Sequence, residues 1–262
     1  MTAQNLVVRP CQLAPAADAN CLRSSPPYGT IRRVPTAIAV VGDRDPSYLT
    51  HRELDAALAL MPAGVDARWV ATDAPEASRL DRYDALWVVP GTPYRDERPV
   101  FAGIERARTE GIPILGTCGG FQHMVVEFAR NAAGIAEVSH AETAPDAGVH
   151  AVSPLACSLV GEVRQVTTVP GTRVAELCGA GPFAGFHWCN YGLSPALLDR
   201  LVAAGLVVSA NAPDAGVEAV ELPDHPFYVA TLFQPQVGSS ETGALHPLIA
   251  ALVDAAATVR SG

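Results

Sequence analysis

The chain has 262 residues, long enough for one large α/β domain with a filled core. Its formal charge of −9, with no lysine or arginine run, argues against nucleic acid or an anionic membrane as the main partner. The first residues lack the basic start and apolar core of a signal peptide, no apolar run nears the roughly 20 residues that span a bilayer, and the six cysteines form no C-x-x-C pair. The expected setting is therefore the cytoplasm, with reduced thiols.

Residues 1–34 carry several prolines and little periodicity and read as an N-terminal extension; residues 35–262 read as one domain. A buried strand is expected over 36–42, a helix over 48–61 with Leu54, Leu58 and Met61 on one side, and a short strand over 67–70. A third strand over 84–89 ends at Pro90-Gly91-Thr92-Pro93, and a helix over 100–109 is stopped by Gly111. Strand and helix thus alternate through residue 131, the pattern of a doubly wound, mainly parallel sheet. Ligands of such sheets bind at the carboxyl ends of the strands, which puts Pro90-Gly91 and Cys118 in one crevice.

The run 111–123 is the centre of the reading. Ile112-Pro113-Ile114-Leu115 suits a buried strand, and Gly116-Thr117-Cys118-Gly119-Gly120 is the cysteine form of a nucleophile elbow, a strained strand-to-helix turn crowded enough to require glycines. Phe121, Met124, Val125 and Phe128 continue at helical spacing, so Cys118 falls at a helix N-terminus. Peptide dipoles there favour a thiolate, and nearby N–H groups can hold an oxyanion. Beyond residue 131 the expected elements are a hairpin of 163–168 with 173–177 through Pro170-Gly171, an aromatic polar stretch over 186–192, and a helix over 195–204. Strands over 206–208, 217–222 and 227–233 follow, and then a helix over 247–259.

With these residues in view, the chain resembles the class I glutamine amidotransferases, most closely the glutaminase domain of CTP synthase and a group related to its C-terminal region that lacks a synthase domain. The likeness rests on Pro90-Gly91 with Tyr94-Arg95, on Ile112 through Gln122, on Asn190-Tyr191, on 220–226 and on Phe233-Gln234-Pro235-Gln236. It implies a flavodoxin-like fold and no cofactor or metal. The implied chemistry is Cys118 attacking a glutamine side-chain amide to form a thioester and release ammonia. It further implies an oxyanion hole from the N–H groups of Gly91 and Gly119. Gln122, Arg95, Asn190, Tyr191 and Gln234 are then the residues expected to meet a small-molecule substrate. A separate synthase is the implied partner for the ammonia, and a homodimer is left open.

The sequence departs from that pattern twice. Gln234-Pro235-Gln236 stands where the family carries His-Pro-Glu, and glutamine cannot shuttle protons near neutral pH. Asn190 stands where the family has an arginine for the substrate α-carboxylate, and an amide offers it no charge. His187 is the first candidate for a relocated base, and His140 with Glu142 the second. His123 is expected to point away from Cys118, and His51, His150, His225 and His246 read as ordinary turn or helix residues. A zinc site from His187, Cys189 and His140 matches no standard ligand spacing, and the glycines of 179–185 do not follow a dinucleotide fingerprint. Three functions stay open: an amide-cleaving cysteine enzyme, a cysteine enzyme acting on another electrophile, and a silent binding or regulatory protein.

Overall fold

The computed structural model describes residues 35–260, so the expected extension over 1–34 lies outside the described residues. The chain opens with β1 (Thr36–Val41), α1 (Leu49–Ala59), β2 (Val65–Val70), a 3-10 segment (Pro75–Arg82), β3 (Ala85–Val88), α2 (Glu97–Glu110), β4 (Ile114–Thr117) and α3 (Gly119–Asn131). The alternation expected from periodicity is thus present. The central strands β3 and β4 are buried at every position, as apolar runs covered on both faces must be. Helix α2 starts earlier than expected because the Asp96 side chain accepts from Arg98 N–H, and it ends on Gly111 in the left-handed region.

The rest of the described chain comprises β5 (Val138–His140), β6 (Val149–Pro154), β7 (Glu162–Thr168), α4 (Arg173–Cys178), β8 (Pro182–His187), β9 (Tyr191–Leu193) and α5 (Leu198–Ala203). It continues with β10 (Val207–Ala212), β11 (Gly216–Glu221), β12 (Tyr228–Thr231), α6 (Ser239–Thr242) and α7 (Pro247–Val259). One sheet runs in the order β2-β1-β3-β4-β12-β11-β10-β7-β8, parallel from β2 to β12 and antiparallel beyond; a second runs β5-β6-β9. Buried apolar residues lie on both faces of the large sheet, with Met124 and Phe128 of α3 on one side and Leu248 and Leu252 of α7 on the other.

The expected hairpin of 163–168 with 173–177 is not formed. Residues 173–178 are helical, and β7 pairs instead with β8. The reason is tertiary: Thr172 caps the helix through Ala175 N–H, and the distant Glu221 carboxylate accepts from Arg173 N–H at 2.8 Å and Val174 N–H at 3.1 Å. A carboxylate on two free N–H groups at a helix start stabilises a six-residue helix that its own sequence does not secure. The 179–185 glycine stretch leads into β8, whose end closes back on the centre of the sheet: Gln234 N–H donates to Phe186 C=O at 2.8 Å.

Candidate active site

The crevice sits at the carboxyl ends of β3, β4 and β12. Cys118 lies between β4 and α3 with φ 51° and ψ −104°, and it has the one positive φ outside glycine among the described residues. A side chain in that region costs of order 1–3 kcal/mol and persists only where its surroundings fix it. Here Cys118 N–H donates to Thr231 C=O at 2.8 Å, and Gln122 N–H returns to Cys118 C=O at 3.1 Å. The turn also needs Gly120, where a Cβ would come within 1.9 Å of Val88 O. Strand, glycines and helix together lift the sulfur to the wall of the crevice.

The crevice holds about 210 Å³. Its walls are Pro90, Gly91 and Thr92 after β3, Cys118 and Gln122 of the elbow, Glu142, the Trp188-Cys189-Asn190-Tyr191 segment, and Gln234 after β12. Tyr48 and Trp188, each about half exposed, stand at the rim. Among the described residues that form these walls, Glu142 carries the only carboxylate, and there is no arginine, lysine or histidine. Burial raises the Glu142 carboxyl above its ordinary value, against a weak pull from the Thr92 hydroxyl at 3.5 Å.

The turn at Pro90-Gly91 is held from behind. Asp45 N–H donates to His51 Nδ1 at 2.8 Å, so the neutral ring carries its proton on Nε2 and gives it to Pro90 C=O at 3.0 Å. Burial lowers the His51 pKa, in keeping with that neutral form. Gly91 sits at φ 107°, where a Cβ would meet His51 Nε2 at 2.9 Å. His51, expected to be an ordinary helix residue, therefore positions the loop that carries the Gly91 N–H.

His140 is also tied up. It accepts from Glu142 N–H on Nδ1 at 3.0 Å and faces Gln122 Oε1 with Nε2 at 3.1 Å. Both nitrogens are used, and burial, its largest influence, drops the pKa to about 4. The expectation of His140 as a base is corrected: its place is to hold Gln122, whose Nε2 donates to Tyr191 C=O at 2.9 Å. His123 is turned away from the thiol, towards Gly119 C=O and Glu97. Arg95 is a further correction. Its backbone N–H binds Asp43 and its guanidinium lies exposed 3.6 Å from Asp73, off the crevice wall.

His187 is wholly buried, and its Nε2 donates to both oxygens of Glu218 at 2.9 and 3.0 Å. Its Nδ1 is buried without a hydrogen-bond partner. The expected Cys118–His187 dyad is not in contact. Instead the Cys118 Sγ lies 3.6 Å from Trp188 C=O, and Cys189 lines the same cavity wall. Cys189 shares the inward face of the chain with His187, two residues away, and feels the charge of Glu218. Across the crevice, Gln236 Nε2 donates to Gln234 Oε1 at 2.8 Å, leaving Gln234 Nε2 buried and unpartnered. No group of three or more His, Cys, Asp or Glu is gathered as for a metal ion among the described residues, nor is any helix there long and apolar enough to cross a membrane.

The peptidase C26 family model matches residues 90–236, more than half of the chain. The chain belongs to the peptidase C26 family, the class I glutamine amidotransferases. It is similar to the CTP synthase of Acidothermus cellulolyticus, 36% identical over 244 residues, covering 84% of this chain and 44% of that one. It is also similar to the CTP synthase of Pyrobaculum calidifontis, 38% identical over 183 residues, covering 66% and 34%. This peptidase C26 chain thus spans less than half the length of these curated relatives. In fold it is similar to the Trypanosoma brucei CTPS glutaminase domain with bound acivicin, with a TM-score of 0.73 at 24% identity, covering 85% of this chain and 94% of that one. It is a glutamine amidotransferase-like domain related to the glutaminase domain of CTP synthase.

Cys189, Glu218, His51 and Thr92 are site residues that sequence reasoning did not single out for these roles. The alternation of His187 and Cys189 through 186–189 is the one signal that could have drawn Cys189 in. Nothing local marks Glu218, which reaches His187 through the curl of the sheet.

Proposed function

We propose that the protein is a cysteine-dependent amide-cleaving enzyme in which Cys118 attacks the carbonyl carbon of a small carboxamide. The observation that carries this reading is the strained backbone of Cys118, held at the wall of a crevice with the Gly91 turn opposite. A silent protein gains nothing from that strain. Attack forms a thioester and a transient oxyanion received by the N–H groups of Gly91 and Gly119; ammonia leaves, and water then releases the acid.

Proton handling falls to the His187–Glu218 pair, reached through the Cys189 thiol. With its Nε2–H given to Glu218, His187 leaves Nδ1 without a hydrogen-bond partner as the atom that exchanges a proton, a group the Gln234–Gln236 pair cannot offer. The setting is the cytoplasm, and a separate synthase is the acceptor for released ammonia. Labelling with a diazo-ketone glutamine mimic, followed by intact mass, tests this reading. One adduct, lost in Cys118→Ala, is the expected result. A Cys118 inert to both the mimic and iodoacetamide near neutral pH sinks the nucleophile.

A second reading concerns the substrate. The walls offer Glu142 and the Trp188 and Tyr48 rings but no cation, so a substrate with an ammonium and no α-carboxylate suits the crevice better than glutamine. Rapid iodoacetamide labelling without a mimic adduct is the outcome that favours it.

A further inference from the structure

Cys118 is not alone in the crevice. Its thiol and that of Cys189 are both buried to within a few per cent and line the same cavity, and the Cys118 Sγ lies 3.6 Å from the carbonyl of Trp188, the residue joined to Cys189. Cys189 lies in the segment between β8 and β9, where Leu159 N–H donates to its carbonyl at 3.0 Å and holds its side chain on the crevice wall. The two sulfurs differ in environment. The Cys118 contact and then burial push the Cys189 thiol far up, so it stays protonated. Cys118 sits on the strained turn at the start of α3.

We propose that Cys118 and Cys189 form a redox-active dithiol that hydrogen peroxide converts to a reversible disulfide, closing the crevice to its substrate. In the first step the Cys118 sulfur attacks a peroxide oxygen; the S–O bond forms, the O–O bond breaks, and the departing oxygen leaves as water. In the second the Cys189 sulfur attacks Cys118; the S–S bond forms, the S–O bond breaks, and the Cys189 proton leaves with the hydroxyl as water. Two thiols are oxidised, one peroxide is reduced to two waters, and a dithiol reductant restores the pair. Cys189 thereby resolves the sulfenic acid before it is oxidised further, protecting a nucleophile that a lone cysteine would lose.

The inference goes beyond amide cleavage and does not depend on which substrate the crevice takes. Cys178, whose thiol burial pushes up to about 11, and the exposed Cys157 serve as internal controls. The experiment treats the full chain with a few equivalents of hydrogen peroxide, quenches by alkylation, and maps peptides by mass. The expected result is a linked pair of peptides containing Cys118 and Cys189, about 2 Da lighter than the free thiols, with iodoacetamide labelling of Cys118 down at least about tenfold and restored by dithiothreitol. Cys189→Ser should trap a sulfenic acid at Cys118 that a dimedone probe captures. The wild-type map stands even where that variant misfolds. Links confined to other cysteines, or irreversible oxidation of wild-type Cys118 as fast as in Cys189→Ser, would overturn the dithiol. Labelling of reduced Cys118 by the amide mimic is read separately, so either proposal can fail while the other stands.

Discussion

Two buried side-chain pairs lie behind one crevice and differ in what they can do with a proton. Gln236 donates to Gln234 after β12, amide to amide, whereas His187 donates to Glu218 between β8 and β11. The first pair occupies the place where the family resemblance implies a histidine and a carboxylate. The second supplies those residue types from strands far apart in the chain. The comparison teaches that a sheet which curls back on itself, with Gln234 N–H on Phe186 C=O, puts several strands within reach of one sulfur. Acid–base chemistry is therefore free to sit on a different strand while the elbow stays fixed.

Both pairs depend on that elbow, so the largest effect comes from breaking it. Gly120→Ala puts a Cβ against the Val88 carbonyl and should cost about 3 kcal/mol or more, read as a drop in the urea midpoint. His187→Gln separates the two pairs directly. The rate of Cys118 turnover or of mimic labelling should fall about a hundredfold, and its pH profile should flatten; an unchanged profile removes His187 from the chemistry. The converse double variant, Gln234→His with Gln236→Glu, should add at most about tenfold to mimic labelling if His187–Glu218 already serves, and far more if it does not.

A fourth prediction concerns His140, which braces Gln122. Burial lowers its pKa from 6.5 to about 4, so between those values the unfolded chain binds a proton that the folded chain refuses. Stability should accordingly fall by about 1–3 kcal/mol as pH drops through that window. Burial takes His246, the cap of α7, to about 4 as well, so His140→Asn should remove only part of the slope in urea titrations at stepped pH. The smallest effect is expected of Arg95→Ala. Its guanidinium is exposed beside Asp73, and the change should stay within about 0.5 kcal/mol and leave labelling untouched.

The sequence by itself determined the α/β alternation through residue 131, the parallel centre of the sheet, and the elbow at Cys118. Each is written in local terms: apolar runs for strands buried on both faces, helical spacing in 121–128, and glycines where a Cβ cannot fit. Only the tertiary structure decided that 173–178 is a helix, because its start is capped by Glu221, nearly fifty residues away. The structure alone set Glu218 on His187, Cys189 in the same cavity wall as Cys118, and the two nitrogens of His140 on Gln122 and Glu142. Periodicity reports which face of an element is buried. Which charged or sulfur-bearing side chains meet there depends on sheet order and curl, and those are set by packing among residues far apart in the chain.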